Sequence, residues 1–255
     1  MNIRLDGRIA LITGATGGIG SAIANEFFQS GATVIVTGRN SEKIDNTIDT
    51  ILKNTDADMS DISRINGIKM DLSEPDSAKQ LIQYAISKYN KIDILVNNAA
   101  TTDGQPISCS DEKFVTNMMF INYQQPYQLT RNALSYMRKA RYGRIINITS
   151  LTGQCGDAGM SAYGASKAAL HALTQSVAAE YGRYNITANS IAPGFVETKA
   201  IKKVREEYKE KMKTNIPNQR FANPAEIADL ATFLASERAA YINGQQIAIN
   251  GGLYR

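Results

Sequence analysis

The chain has 255 residues, 43% of them hydrophobic, with two cysteines, one histidine and a formal net charge of +4, so neither a disulfide framework nor a Cys/His metal site can be assembled. The basic residues are spread along most of the chain and accompany no nucleic-acid motif, which argues against a nucleic-acid partner. No apolar run approaches the ~20 residues needed to span a bilayer, and the opening residues carry no apolar signal core, so the expectation is one soluble α/β domain over 1–255 in a reducing, cytoplasmic setting.

Residues 8–13 form a short apolar run, followed by Gly14-Ala15-Thr16-Gly17-Gly18-Ile19-Gly20 and an amphipathic stretch from Ser21 to Gln29. In a strand–glycine turn–helix unit the backbone approaches a ligand closely, and the free N–H groups of the helix attract a pyrophosphate. The spacing is G-x-x-x-G-x-G and departs from G-x-G-x-x-G, but its place between strand and helix favours nucleotide binding over a plain turn. The second strand, Ala32 to Thr37, ends in Gly38-Arg39-Asn40. An NAD site usually places an Asp or Glu at this point, on the ribose 2′-OH, whereas an Arg accommodates a 2′-phosphate. No acid stands there and Arg39 does, which predicts NADP(H).

Ser41 to Leu52 reads as a helix capped by its serine, and residues 53–66 as a polar loop extension of unknown purpose. Gly67 to Met70 is the third expected strand, leading into Asp71-Leu72; Ser73 to Tyr89 is a helix with Ser73 as cap and Pro75 in its first turn. Asp93 to Val96 is a fourth strand, ending in Asn97-Asn98-Ala99-Ala100. Alternating strands and helices imply right-handed crossovers, hence a Rossmann-type, doubly wound parallel sheet of about seven strands with helices on both faces. Ligands then bind at the carboxyl ends of the strands.

Asp111 to Ala140 is mostly helical, and Pro126 should loosen it, freeing a carbonyl for a partner such as water. Arg144 to Thr149 is the fifth strand, a helix runs from about Ser161 to Gly182, and Ile186 to Ile191 is the sixth strand, followed by Pro193-Gly194. Near 196–220 Lys199, Lys202, Lys203, Arg205, Lys209, Lys211 and Lys213 outweigh Glu206, Glu207 and Glu210. A mobile lid meeting an anionic substrate carrier and a merely solvated helix face both fit this segment. Pro224 to Ala235 is the last helix and Gln246 to Ile249 the last strand.

Tyr163 and Lys167 stand four apart on a helix and so share one face. A phenol's ordinary pKa of ~10 is too high for easy proton exchange at neutral pH, and a nearby ammonium favours the phenolate. Ser150, at a strand end, can hold a carbonyl oxygen beside that phenol. His171, one turn beyond Lys167, is read as a packing or solvated residue.

Taken together the motifs resemble the short-chain dehydrogenase/reductase family over essentially the whole chain. Gly14, Thr16, Gly18, Ile19 and Gly20 match its cofactor loop, Asp71 and Leu72 its adenine pocket, and Asn97-Asn98-Ala99-Ala100 its NNAG segment with Ala100 in place of glycine. Asn122, Ser150, Tyr163 and Lys167 are similar to its catalytic tetrad, and Pro193, Gly194 and Thr198 to the loop that contacts the nicotinamide. The resemblance implies cofactor contacts from Asn98, Ala99, Tyr163 and Lys167, a water held at Asn122, and a homotetramer. Within the family the tail from Arg220 to Tyr254 is similar to that of reductases acting on 3-oxoacyl thioesters. Their carrier-protein docking uses two arginines; Arg141 matches the first position, and the second falls on Tyr184 beside Arg183. The implied activity is NADPH-dependent reduction of a 3-oxoacyl thioester, linked to acyl carrier protein or CoA, in fatty acid synthesis. The alternatives are a relative acting on another ketone or secondary alcohol, such as a sugar, polyol or steroid, and a non-catalytic NADP(H) sensor on the same fold.

Overall fold

Short runs form strands β1 (Ile9–Ile12), β2 (Thr33–Gly38), β3 (Ile65–Lys69), β4 (Ile94–Asn97), β5 (Gly143–Ile148), β6 (Ile186–Pro193) and β7 (Gln246–Ile249), the central five buried on both faces and the edge strands β3 and β7 only in part. They come from a computed structural model that describes residues 3–55, 59–202 and 204–254. The strands form one parallel sheet in the order β3-β2-β1-β4-β5-β6-β7. The chain winds outward from β1 in both directions, so a crevice opens at the carboxyl ends of β1 and β4.

The connecting helices are α1 (Gly18–Gln29), α2 (Ser41–Asn54), α3 (Met59–Ile62), α4 (Ser77–Tyr89), α5 (Glu112–Met119), α6 (Gln125–Ala140), α7 (Thr152–Cys155), α8 (Ser161–Tyr181), α9 (Lys199–Lys202), α10 (Glu206–Thr214) and α11 (Pro224–Ala235). On one face Ile23, Phe27 and Phe28 of α1 pack with Ile227 and Leu234 of α11 over Ile12, Val36 and Ile146. On the other, Leu81 and Ile82 of α4, Leu129 and Met137 of α6 and Val177 of α8 cover Leu11, Leu95 and Ile145. Alternate strand residues thus feed two separate cores, which is the doubly wound arrangement expected. No helix among the described residues is long and apolar enough to cross a membrane.

The last helix and strand begin and end where the sequence places them. Asn223 and Glu226 cap α11 reciprocally, with Pro224 in its first turn, a combination that fixes a helix start locally. Other boundaries move. The cap of α2 is Asn40, whose side chain accepts from the Lys43 N–H at 2.9 Å, and not Ser41. The helix expected from Ser73 starts at Ser77, because Ser73 is drawn into a turn by the Asp71 carboxylate through both its N–H and its hydroxyl. The 53–66 stretch is not all loop: α2 runs on to Asn54, α3 follows, and β3 starts two residues early, at Ile65. Arg64 secures it, with Nη1 donating to the carbonyls of Phe28 and Ala32 and the guanidinium 4.3 Å from the Phe28 ring centre. Residues 56–58 of that stretch, and Lys203 of the expected lid, lie outside the described residues.

Candidate active site

The predicted residues gather along the carboxyl edge of the sheet. The glycine loop leaves β1, Asn97 ends β4, Ser150 follows β5 and Pro193 ends β6. Gly14 has φ +63°, and a Cβ there would lie 2.9 Å from Ala99 Cα. At Gly20 a Cβ would overlap the Gly14 carbonyl and the Asn98 amide. Only glycine lets loop and strand end meet so closely. The N-terminus of α1 has Gly17 as N-cap and no side chain bonded to its N–H groups, leaving those donors to an anion. Ile19 packs against the core and Thr198 rests on Gly18. The cradle fits a dinucleotide pyrophosphate.

Asn98, expected to touch the cofactor, also holds the loop. Its Nδ2 donates to the carbonyls of Thr13 (2.9 Å) and Gly14 (3.1 Å). Thr13, which the sequence places at the start of the cofactor loop without a role of its own, accepts the N–H groups of Asn98 and Ala99 on its hydroxyl at 3.0 and 3.1 Å and so joins β1 to β4. The available signal was a hydroxyl residue at the strand end, directly before the glycine loop.

Arg39 is exposed just past β2, where Thr16 packs on Gly38. The Asp71 carboxyl is held below its usual range by the Ser73 N–H and hydroxyl, aided by the Arg39 charge. Leu72 is buried in the core beside α4, so of that pair it is Asp71 that stays accessible.

Tyr163 and Lys167 lie one turn apart on α8, as their spacing requires, with Lys167 Nζ 5.8 Å from the phenol ring centre. Lys167 is 2% exposed and donates to the Ile148 carbonyl at 2.8 Å. Burial without a carboxylate disfavours its charge, bringing its pKa down to about 8. The expected tuning of the phenol differs in origin. Burial pushes Tyr163 up, and what opposes this is a hydrogen bond from Ser150 rather than the Lys167 charge. Ser150 Oγ accepts the Thr152 N–H at 3.2 Å, which leaves its own proton for Tyr163.

Asn122 sits in a π-helical turn, Phe120–Gln124, between α5 and α6. The Gln125 N–H reaches back five residues to the Phe120 carbonyl, and Pro126 has no N–H to offer the Asn122 carbonyl four residues before it. The Asn122 side chain is wholly engaged: it exchanges bonds of 2.9 Å with the Thr101 N–H and carbonyl and donates to Ser166 Oγ at 3.1 Å. Ser166 in turn donates to the Tyr163 carbonyl at 2.7 Å. Thr101 and Ser166, neither anticipated, thereby tie Asn122 to the Tyr163 helix. With its side chain so engaged, Asn122 could meet a water only through its carbonyl, to which Pro126 denies the ordinary helical partner.

Pro193 accepts the Leu151 N–H at 3.0 Å, and Gly194 donates to the Ile249 carbonyl at 3.0 Å. The segment beyond is pinned at its base, where Val196 bridges Ala222 and the rings of Phe195 and Phe221 meet edge-on at 6.0 Å. Its tip is looser: α10 buries none of its residues, and Lys209 and Lys213 pair with Glu206 and Glu210 on the same helix. Arg141 and Arg183 do not join the site. They precede β5 and β6, a strand length away, about 20 Å at 3.3 Å per residue, with Arg141 donating to the Arg183 carbonyl. His171 shares a 2.9 Å hydrogen bond with Ser190, in keeping with a packing role.

The sequence matches, over residues 14–254, the family described as Enoyl-(Acyl carrier protein) reductase. It is 36% identical to the 3-oxoacyl-[acyl-carrier-protein] reductase of Aquifex aeolicus, covering 100% of both chains. It is 40% identical to nodulation protein G of Rhizobium sp. strain N33, covering 98% of both. Among solved structures, a 3-oxoacyl (acyl-carrier-protein) reductase of Agrobacterium tumefaciens C58 with NADP bound superimposes with a TM-score of 0.91 at 30% identity, over 98% of this chain and 96% of that one. The chain therefore belongs to the short-chain dehydrogenase/reductase family of nicotinamide-dependent oxidoreductases.

Proposed function

We propose that this chain reduces the keto carbon of a 3-oxoacyl thioester with NADPH, giving the 3-hydroxyacyl thioester. The observation that carries the chemistry is Ser150, its hydroxyl proton free for Tyr163 beside a buried, carboxylate-free Lys167. The similarity to the Aquifex aeolicus reductase over the full chain supports the substrate class. When bound, the nicotinamide supplies the hydride; the proton comes from the chain. Tyr163 donates it to the carbonyl oxygen as negative charge develops there, and the Ser150 hydroxyl stabilises that same oxygen with a preorganised hydrogen bond. Lys167 returns a proton to the phenolate, and a water on the Asn122 carbonyl resupplies Lys167 from solvent. Gly14, Gly18 and Gly20 with the α1 N-terminus would hold the pyrophosphate, Asp71 the adenine side, and Arg39 the 2′-phosphate. Pro193, Gly194 and Thr198 would flank the nicotinamide.

An assay following NADPH and NADH oxidation separately, with an acetoacetyl thioester as substrate, tests this reading. Consumption with NADPH and little with NADH is expected. Arg39→Ala should raise KM for NADPH about 10- to 100-fold, the worth of one charge-assisted bond, and leave NADH use unchanged. No consumption by protein shown to bind NADPH would move the substrate to another ketone or alcohol.

A homotetramer, the family expectation, is also proposed. The exposed small side chains Ala165, Ala168 and Ala172 along α8 would let a second helix approach closely. A carrier protein held at Arg141 and Arg183 would serve a neighbouring subunit's site, because their own Ser150 is at the far end of β5.

A further inference from the structure

A directed chain of hydrogen bonds ties the turn after Ser150 to the far side of the sheet. It begins at the Ile191 carbonyl in β6, which accepts both the N–H and the hydroxyl of Thr149, each at 2.8 Å. With its only proton engaged there, Thr149 Oγ1 can act toward Gln246 solely as an acceptor, and Gln246 Nε2 donates to it at 3.0 Å. That fixes the Gln246 amide with Oε1 outward, where Gln154 Nε2 donates to it at 3.1 Å. Each amide orientation follows from the bond before it. The chain ends on Gln154 Oε1, a buried acceptor with no partner among the described residues. An unpartnered buried amide oxygen is unfavourable, and such local inconsistencies collect where function is served.

Gln154 belongs to α7, the turn that Ser150 leads into. Through the Thr152 N–H this turn also holds Ser150 Oγ. Its other side leans on α8, where a Cβ at Gly153 would lie 3.0 Å from the Ala168 nitrogen. The turn is therefore clamped between the Tyr163 helix and the Gln246 amide.

We infer that Gln154 is a positioning residue for the reduction: its bond to Gln246 clamps α7 and so, through the Thr152 N–H, sets the direction in which the Ser150 hydroxyl points. This rests on the reading that Ser150 and Tyr163 act on a carbonyl. Gln154→Met is close in volume and removes both the bond and the orphaned oxygen. A merely structural glutamine predicts an unchanged or raised Tm and an unchanged rate. A positioning glutamine predicts the same Tm behaviour and NADPH affinity, but single-turnover reduction of an acetoacetyl thioester slowed about 5- to 20-fold, the worth of one well-placed hydrogen bond. That loss should vanish when Ser150→Ala is the starting protein. Normal rates in Gln154→Met, or an undiminished loss in the Ser150→Ala background, would overturn the inference.

A second measurement needs no substrate. In protein labelled with 13Cζ-tyrosine, with the Tyr163 resonance assigned by its loss in Tyr163→Phe, Gln154→Met should raise the pH at which Tyr163 ionises, because a loosened Ser150 favours the phenolate less. Gln246→Met should do the same, which guards against a Gln154 variant that fails to fold. An unmoved titration sinks the inference even if the wild type proves inactive on 3-oxoacyl thioesters, an outcome that by itself refutes only the substrate.

Discussion

The two ends of the sheet are built on opposite terms. At the amino end charges are matched. Asp93 accepts the Ile9 N–H at 2.8 Å and pairs with Lys91 at 2.9 Å. Arg144, 0% exposed, donates to the carbonyls of Gly143 and Asn185 and meets Glu237 at 3.1 Å, leaving only its Nε without a partner. The guanidiniums of Arg8 and Arg144 lie 3.6 and 4.4 Å from the Tyr142 ring centre. At the carboxyl end the polar groups are left short: among the described residues Lys167 has no carboxylate, α1 no side-chain cap and Gln154 Oε1 no donor. Matched charge at one end holds the strands together, and unmatched groups at the other remain available to a ligand.

Substitutions at the two ends should therefore separate activity from stability. The largest expected effect is at the carboxyl end: Tyr163→Phe should lower turnover about 10²- to 10⁴-fold, the usual contribution of a general acid, with NADPH affinity by fluorescence titration and Tm unchanged. Near-normal turnover would remove Tyr163 from the chemistry. Next, Lys167 should impose a pH limit. Its charge is present below its pKa of about 8 and lost as pH rises through that value. Accordingly, kcat/KM for NADPH, which reports the free enzyme, should be flat at low pH and fall about tenfold per unit well above 8. Lys167→Arg, which stays charged, should abolish that break; a break surviving in the variant belongs to another group.

The amino end should show the converse. Glu237→Ala leaves the buried Arg144 without its carboxylate and should cost about 2–4 kcal/mol in urea unfolding, toward the low end for a broken ion pair because Glu237 is itself exposed, while kcat/KM stays at the wild-type value. Lost activity at preserved stability would break the comparison. The smallest effect lies between these cases: Asn40→Ala removes the cap of α2 beside Arg39 and should cost about 1 kcal/mol of stability. If KM for NADPH also rises, the cap is helping to place Arg39.

What the sequence determined by itself was whatever neighbours along the chain decide. The alternation of apolar runs and helical periods implied the parallel sheet. The four-residue spacing put Tyr163 and Lys167 on one helical face, and the local cap set the start of α11. Gly14 stood out because a turn at positive φ needs glycine whatever surrounds it. Only the tertiary structure decided which distant groups meet. The Gln154–Gln246 bond spans 92 residues and the Asn122–Ser166 bond 44, and neither partner marks the other in composition or period. The same holds for Lys167, whose depressed pKa comes from burial against β5, and for Arg141 and Arg183, which the direction of β5 and β6 carries to the end of the sheet opposite Ser150. Local propensity is written in adjacent residues, whereas burial and hydrogen-bond partnership arise only once the crossovers have stacked one strand against the next.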